Sequence, residues 1–179
     1  MIYKSYLVEK NIDLLNNNIV LFYGENLGLK NDLKKTIKNL NKKAFIKSLN
    51  QEEILSNKDK FINELFNDSL FEEIKMFFIN QSNDKILEFI KEIENKEDIP
   101  KIFLFSELLD KKSKLRNYFE KSKMLGIVPC YADNEISLKK IILDKLKGYK
   151  GLSSQNLNMI IQNCGLDRSK LNNELTKID

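Results

Sequence analysis

Five strand-length apolar runs recur through the first 131 residues with helix-length amphipathic stretches between them. This alternation leaves very few folds open. The runs are 19–24 (Ile-Val-Leu-Phe-Tyr-Gly), 44–49 (Ala-Phe-Ile-Lys-Ser-Leu), 74–79 (Ile-Lys-Met-Phe-Phe-Ile), 101–105 (Lys-Ile-Phe-Leu-Phe) and 126–131 (Gly-Ile-Val-Pro-Cys-Tyr). Between them, residues 29–41, 57–67, 84–95 and 113–123 carry apolar stripes at helical spacing, such as Leu29, Leu33, Ile37 and Leu40, or Ile86, Phe89, Ile90 and Ile93. A helix between two strands carries the chain back to the end where the first strand began, so the strands pair in parallel. The predicted class is α/β, a three-layer core with a mostly parallel five-stranded sheet covered on both faces. Pro129 lies inside the last run and cannot donate to a ladder, which makes that strand an edge or bulges it there.

The pattern changes after residue 134. Three helical stretches follow, 135–147, 153–164 and 167–178, with no further strand-like run. Gly148, Gly151 and Gly165 fall between them, and Ser153 and Asp167 stand at N-cap positions, as do Ser113 and the pairs Asn83-Asp84 and Asp133-Asn134 further upstream. The expected organisation is an α/β domain over 1–134 and a small all-helical domain over 135–179. The helical pattern is still running at Thr176-Lys177-Ile178-Asp179 without a stop signal, which suggests a part of a longer protein.

Composition removes several chemistries. The chain has no histidine, and its two cysteines, Cys130 and Cys164, form no C-x-x-C pair, so common zinc sites and Ser-His or Cys-His catalysis are not expected. No apolar run approaches membrane-spanning length and the N-terminus lacks the apolar stretch of a signal peptide, so the expected location is the cytoplasm. Net charge is only +4, and Arg116 and Arg168 are the sole arginines. A dense guanidinium surface for reading nucleic acid is therefore absent. Lysine pairs such as Lys34-Lys35 and Lys111-Lys112 read as solvated helix faces or turns.

The segment from Ile19 to Asn31 has the order of a phosphate-binding loop: apolar strand, glycine-containing turn, amphipathic helix. Laid on G-x-x-x-x-G-K-[ST], Gly24 and Lys30 fall in place, but Leu29 replaces the second glycine and Asn31 replaces the hydroxyl that would ligate Mg²⁺. A Cβ at 29 obstructs a backbone that must curl round phosphate, and an amide at 31 is a poor ligand for a small hard cation. The loop is expected to persist as a fold element without nucleotide, with Lys30 a solvated lysine on the first helical turn. No cofactor and no metal site are expected.

Particular residues carry a family resemblance. Tyr23-Gly24-Glu25-Asn26 leads into Leu29, Ser69-Leu70-Phe71 precedes the third strand, and Leu109-Asp110-Lys111-Lys112-Ser113-Lys114-Leu115-Arg116 opens a helix ending in Phe119-Glu120. Cys130-Tyr131 closes the last strand, and Gly165-Leu166-Asp167 is followed by Leu171-Asn172-Asn173-Glu174-Leu175. In this order and spacing they resemble the delta subunit of the bacterial DNA polymerase III clamp loader, of the AAA+ superfamily, over the whole chain. The resemblance implies an AAA+-like core with a helical lid and no ATP hydrolysis of its own, inside a nucleotidyltransferase complex that replicates DNA. An active ATPase of this fold would carry an acidic pair after the third strand; here Ile79 runs into Asn80-Gln81-Ser82, and Asp84 beyond reads as a helix cap.

The resemblance further implies that the chain binds and opens a ring-shaped sliding clamp through a hydrophobic wedge, matched here by Leu70 and Phe71 with Ser69 before them. Bracketed by Asp68-Ser69 and Glu72-Glu73, two adjacent large apolar residues cannot both face one core from a regular element. Other implied partners are the remaining loader subunits, held mainly through a C-terminal collar domain that 179 residues leave no room for, and primed DNA in the full complex. A chain of this extent is expected to be monomeric. Lys111, Lys112, Lys114 and Arg116 are candidates for DNA or subunit contact. The alternative from another class is an active P-loop-type NTPase with an irregular loop using Lys30, and a third is a general DNA-binding protein.

Overall fold

The computed structural model describes residues 1–66 and 74–177. Five strands, β1 (Ile19–Tyr23), β2 (Phe45–Asn50), β3 (Lys75–Asn80), β4 (Lys101–Phe105) and β5 (Gly126–Pro129), form one sheet in the order β2-β3-β4-β1-β5. Every pairing is parallel. The interior strand β1, between β4 and β5, is buried at all five positions, as a strand with helices on both faces must be.

Alternation along the strands sorts the core into two layers. Leu21, Phe77, Ile79, Ile102 and Leu104 pack with α4 (Lys58–Phe66), α5 (Leu87–Ile93) and α6 (Lys114–Lys121). Phe22, Phe78, Phe103 and Phe105 face α2 (Leu27–Leu40) and α1 (Ser5–Lys10) on the other side. There the Phe22 and Phe105 rings stack at 5.0 Å, and Phe78 meets Phe103 edge-on at 5.7 Å.

β5 is an edge strand, which accommodates Pro129. Residues 1–3 run along its outer side: Tyr3 N–H donates to Ile127 O at 2.8 Å, and Ile127 N–H to Met1 O at 2.9 Å. Backbone alternation points position 129 outward like position 127, so the missing donor deprives no neighbouring strand of a bond. The strand stops there, two residues short of the predicted run.

Several predicted helices are redrawn by local chemistry. Residues 57–67 were expected to form one helix, but an additional helix, α3 (Gln51–Ser56), precedes α4, and Asn57 between them leaves helical geometry at φ −139°. Glu53 anchors the start of α3 by accepting from the Asn50 N–H at 2.8 Å. α2 begins at Leu27, two residues earlier than its stripe suggested, because the Asn26 side chain accepts from the Leu29 N–H at 2.9 Å. Leu40, predicted on the buried stripe, is 62% exposed at the far end of that helix.

Asp84 is a cap, but for a distant helix. Its own turn is capped by Asn83, while the Asp84 carboxylate accepts from Ser113 Oγ at 2.6 Å and from the Leu115 and Lys114 N–H groups at 2.9 and 3.0 Å. Desolvation pushes its pKa up, yet the hydrogen bonds from Ser113, Leu115 and Lys114 outweigh it and hold the carboxyl below its usual value. The capping is thus a tertiary contact joining the end of the β3 loop to α6.

Beyond β5, α7 (Glu135–Lys145), α8 (Ser154–Cys164) and α9 (Arg168–Leu175) share a cluster of their own, including Leu138, Ile142, Leu157, Ile161, Leu171 and Leu175. Ser153 and Asp167 cap α8 and α9, and Gly165 closes α8 in the left-handed conformation at φ 57°. No helix among the described residues is long and apolar enough to cross a membrane.

Candidate functional site

The carboxyl ends of parallel strands are where an open α/β sheet offers a ligand crevice, so the turn from β1 to α2 is the first place to look. It contains only Gly24, Glu25 and Asn26. The residues that would have formed the rest of a phosphate cradle, Leu27 to Leu29, are already helical. Leu29 is buried on the sheet side of α2 with helical backbone, so the predicted obstruction takes another form: the curled loop has been replaced by a turn of helix.

Lys30 overturns the expectation of a solvated side chain. It is buried at 6% exposure, and its Nζ donates to Gly24 O and Ser106 O, both at 2.7 Å. Starting α2 at Leu27 rotates position 30 toward the sheet, where strand-end carbonyls need donors. Desolvation lowers the ammonium's pKa, opposed by the Coulombic effects of Cys130, Glu107 and Glu25. The ammonium that a nucleotide site would direct at phosphate is here a bridge between the ends of β1 and β4. Neighbouring Cys130 is buried, and desolvation pushes its thiol up to about 12. Asn31 is exposed on α2.

The end of β3 is likewise uncharged. Asn80 Nδ2 donates to Ser48 Oγ at 3.1 Å and Leu49 O at 3.2 Å, while its Oδ1 accepts from Lys34 Nζ at 2.6 Å. Lys34, predicted to be solvated, is half-buried with its Nζ 4.1 Å from the centre of the Phe105 ring. The Ser82 N–H donates to Phe105 O at 3.0 Å and its hydroxyl to Ile79 O at 3.1 Å. Nothing here supplies the charge that would hold Mg²⁺, and among the described residues no group of three or more His, Cys, Asp and Glu side chains is arranged for a metal.

A second element covers the turn from above. The N-terminus of α9 lies directly on that of α2, so close that a Cβ built on Gly28 would stand 2.8 Å from both Arg168 Cβ and Ser169 N. Arg168 is 5% exposed and faces three carboxylates from three elements. It pairs with Glu9 of α1, with Asp32 of α2 through Nε at 2.8 Å, and with Asp133, just before α7, through Nη1 at 3.7 Å. Asn172, one turn along α9, donates to both oxygens of Asp32 at 2.9 and 3.1 Å. Asp133 also accepts from Asn26 Nδ2 at 2.7 Å and from Ser137 Oγ at 2.7 Å. Desolvation works against the guanidinium's charge, but Glu9 and Asp32 raise its pKa on balance. Nothing about an isolated arginine in a helical stretch signals such a latch, because its partners lie 35 to 159 residues away in sequence.

The cleft beside the latch has a volume of about 510 Å³ and is lined by acids such as Asp32 and Asp144 together with Lys35, Lys140 and Lys145. With both signs interleaved it provides no concentrated positive field for a polyphosphate.

The remaining candidates fall in three places. Ser69, Leu70 and Phe71 lie outside the described residues. Lys111, Lys112 and Lys114 are exposed on the loop after β4 and the start of α6. Arg116 turns inward: its Nε donates to Glu120 at 2.8 Å, its Nη1 to Leu109 O at 3.1 Å, and the guanidinium lies 5.0 Å from the centre of the Tyr23 ring.

The sequence matches no protein-family model and no curated protein. Its structure superposes on the DNA clamp loader delta protein of Bacillus subtilis with a TM-score of 0.65 and 15% identity, over 97% of this chain and 56% of that one. The fold is shared with a clamp-loader delta protein. It is the α/β class with a parallel five-stranded sheet that the alternation of apolar runs predicted. The chain spans little more than half the length of that protein. A second structural neighbour is domain III of the Thermotoga maritima replication initiation protein DnaA, with a TM-score of 0.45 and 15% identity, over 93% of this chain and 76% of that one.

Proposed function

We propose that this chain is a clamp-loader arm that binds and opens a sliding clamp without hydrolysing ATP. The observation that carries the ATP-free part is Lys30, whose ammonium is committed to Gly24 O and Ser106 O beneath a turn covered by α9. A triphosphate would have to break both bonds, lift α9 from Gly28 and find a Mg²⁺ ligand where Asn31 and Asn80 offer only amides. The fold shared with the Bacillus subtilis delta protein supports the clamp-loader part. The division at residue 134 belongs to this proposal and rests on the separate apolar cluster of α7, α8 and α9. So do assembly with other loader subunits through a further C-terminal domain, action on primed DNA and a cytoplasmic location.

The gripping element in this proposal is Leu70-Phe71, in the segment between α4 and β3. The mechanism requires only that the wedge bind an opened ring interface better than a closed one, since differential affinity is what shifts such an equilibrium. Burying both side chains stabilises a complex by about 3 to 5 kcal/mol on transfer values, or roughly 150- to 5,000-fold in affinity. Leu70→Ala/Phe71→Ala is therefore expected to abolish measurable binding to the sliding clamp in surface plasmon resonance. Unchanged affinity would remove the wedge assignment.

Isothermal titration with ATP and Mg²⁺ separates this proposal from a working NTPase. No heat of binding is expected up to millimolar nucleotide. A saturable isotherm that Lys30→Met removes would favour the enzyme instead.

A further inference from the structure

The positive charge of this protein is concentrated in one short stretch. Residues 33–51 hold six lysines and no acidic residue, while the rest of the chain carries 24 of its 30 basic and all 26 of its acidic side chains, a net charge of −2. Lys47 of β2 is neutralised by Glu64 of α4. The other five, Lys34, Lys35, Lys38, Lys42 and Lys43, belong to α2 and the turn after it, and none forms an ion pair among the described residues.

On α2 the lysines share a face. Asn31, Lys34, Lys35, Lys38 and Asn39 recur at three- and four-residue intervals, on the side away from the stripe of Leu29, Leu33 and Ile37 that packs against the sheet. Like charges at this spacing destabilise a helix. Lys34 is half-buried with its Nζ over the Phe105 ring, and Lys38 Nζ stands 5.5 Å from the centre of the Phe78 ring. Desolvation lowers the pKa of Lys34, Lys30 and Lys38 lower it further, and no carboxylate opposes them. Asp32, the acid of α2, is taken up by Arg168 and Asn172. The face is left with uncompensated cations.

Its other residues indicate which anion fits. None of the five outward positions is apolar or aromatic, so the face has neither an anchor for a protein partner nor a platform on which the bases of a single strand could stack. The Phe78 and Phe105 rings beneath Lys38 and Lys34 are only 1% and 4% exposed. A phosphate backbone needs no more than cations and amide donors, which is what lysine and asparagine supply. From Lys34 to the turn after Leu40 the stripe runs about 10 Å at about 1.5 Å per residue, the length over which a duplex presents about three phosphates on each strand. The lysines around α6, by contrast, alternate with Asp110 and Glu120.

We infer that the outer face of α2, with Lys34, Lys35 and Lys38 on the helix and Lys42 and Lys43 in the turn beyond it, binds the phosphate backbone of duplex DNA. The inference rests on the part of the proposed function that has this chain act on primed DNA, and gives that action a surface. It requires nothing of the wedge. Contacts of this kind hold and orient a duplex without reading its sequence.

Fluorescence anisotropy with a labelled duplex of mixed sequence tests the assignment through salt. Three to four phosphate contacts give a slope of log affinity against log salt of about −3 to −4, so affinity is expected to fall roughly 60- to 250-fold between about 50 and 200 mM salt. Lys35→Gln/Lys38→Gln, both at exposed positions, is expected to reduce the steepness of that slope by about 2. Lys121→Gln/Lys123→Gln removes the same charge at exposed positions near the end of α6 and should leave the slope unchanged. Equal effects of the two variants, a wild type that binds no duplex, or a single strand bound as tightly as the duplex would each overturn the inference. Clamp binding measured in parallel is expected to be unaffected by Lys35→Gln/Lys38→Gln. A chain that binds duplex but no clamp loses the clamp reading and keeps this surface, whereas one that binds clamp but no duplex loses only the surface.

Acetylation followed by mass spectrometry reads the same face in the unaltered protein. Lys35, Lys38, Lys42 and Lys43 are exposed and are expected to react several-fold more slowly in the presence of saturating duplex, while Lys121 and Lys123 react at their original rate. Protection spread evenly over all six lysines, or absent from all of them, contradicts a surface on α2.

Discussion

Gly24→Ala is expected to destabilise this protein by about 2 to 6 kcal/mol, from backbone strain and overpacking of about 1 to 3 kcal/mol each. Gly24 adopts φ +133°, which side-chain-bearing residues rarely occupy. A Cβ there would stand 2.2 Å from Cys130 O and 2.6 Å from Cys130 C. Those atoms are backbone, held in turn by the Asn26 N–H donating to Cys130 O at 3.0 Å and the Cys130 N–H donating to Tyr23 O at 2.6 Å. The clash cannot be relieved without moving the end of β5 off β1. A mid-range cost of about 4 kcal/mol corresponds to a melting temperature lower by roughly 8 to 16 °C in a chain of this size. Gly151→Ala isolates the conformational part, since Gly151 has φ +89° with no atom within 4 Å of an added Cβ. Calorimetry should show a small loss for Gly151→Ala and a large one for Gly24→Ala. Equal losses would mean that close packing against Cys130 is unimportant.

Arg168→Ala is expected to loosen α9 from α2 and to cost about 2 to 4 kcal/mol. Breaking a buried ion pair by removing one partner costs about 3 to 5 kcal/mol, mostly through the charge left behind. The figure is reduced here because the side chains of Glu9 and Asp32 are 34% and 31% exposed and keep part of their hydration, whereas Asp133 is only 9% exposed. Arg168→Lys retains the charge but not the planar fork that reaches several carboxylates at once, and should fall between the wild type and Arg168→Ala. Hydrogen exchange gives the specific readout. Amides of α9 and of the first turn of α2 should lose protection in Arg168→Ala while those of β3 and β4 keep theirs. Protection lost uniformly, or not at all, would contradict a local latch.

The two changes bear on one feature from opposite sides. Gly24 allows the turn to close against β5 from below, and Gly28 allows α9 to close against α2 from above. Lys30 is drawn under the turn, where its ammonium is bound to the protein's own carbonyls. Substitution of Leu29 and Asn31 already argued against nucleotide. Their structural counterpart is that lysine bridge, beneath a turn that α9 covers.

How much of this was legible beforehand depended on the range of the interaction. β1 and β4, each apolar throughout and bounded by turn residues, were readable because burial on both faces leaves a continuous hydrophobic run. The caps at Ser113, Asn134, Ser153 and Asp167 were readable because the acceptor and the helix it serves are adjacent in sequence. α1 was not foreseen, since six residues with one buried side chain, Val8, leave little periodicity to detect. Asp84 was recognised as a cap, but its helix begins thirty residues away at Lys114. Lys30 and Arg168 were misread or passed over for the same reason, because a lone cation in a sequence carries no sign of which carbonyls or carboxylates will meet it.

The sequence by itself therefore determined the class of fold, the alternation of its five strands with helices and the loss of the phosphate-loop signature. These follow from periodicity and from residue types at fixed local spacing. Tertiary structure decided the order of strands across the sheet, the burial of Lys30 and the closure of α9 over α2 by Arg168. These depend on groups far apart in the chain whose meeting is set by packing of the whole, which no local pattern encodes.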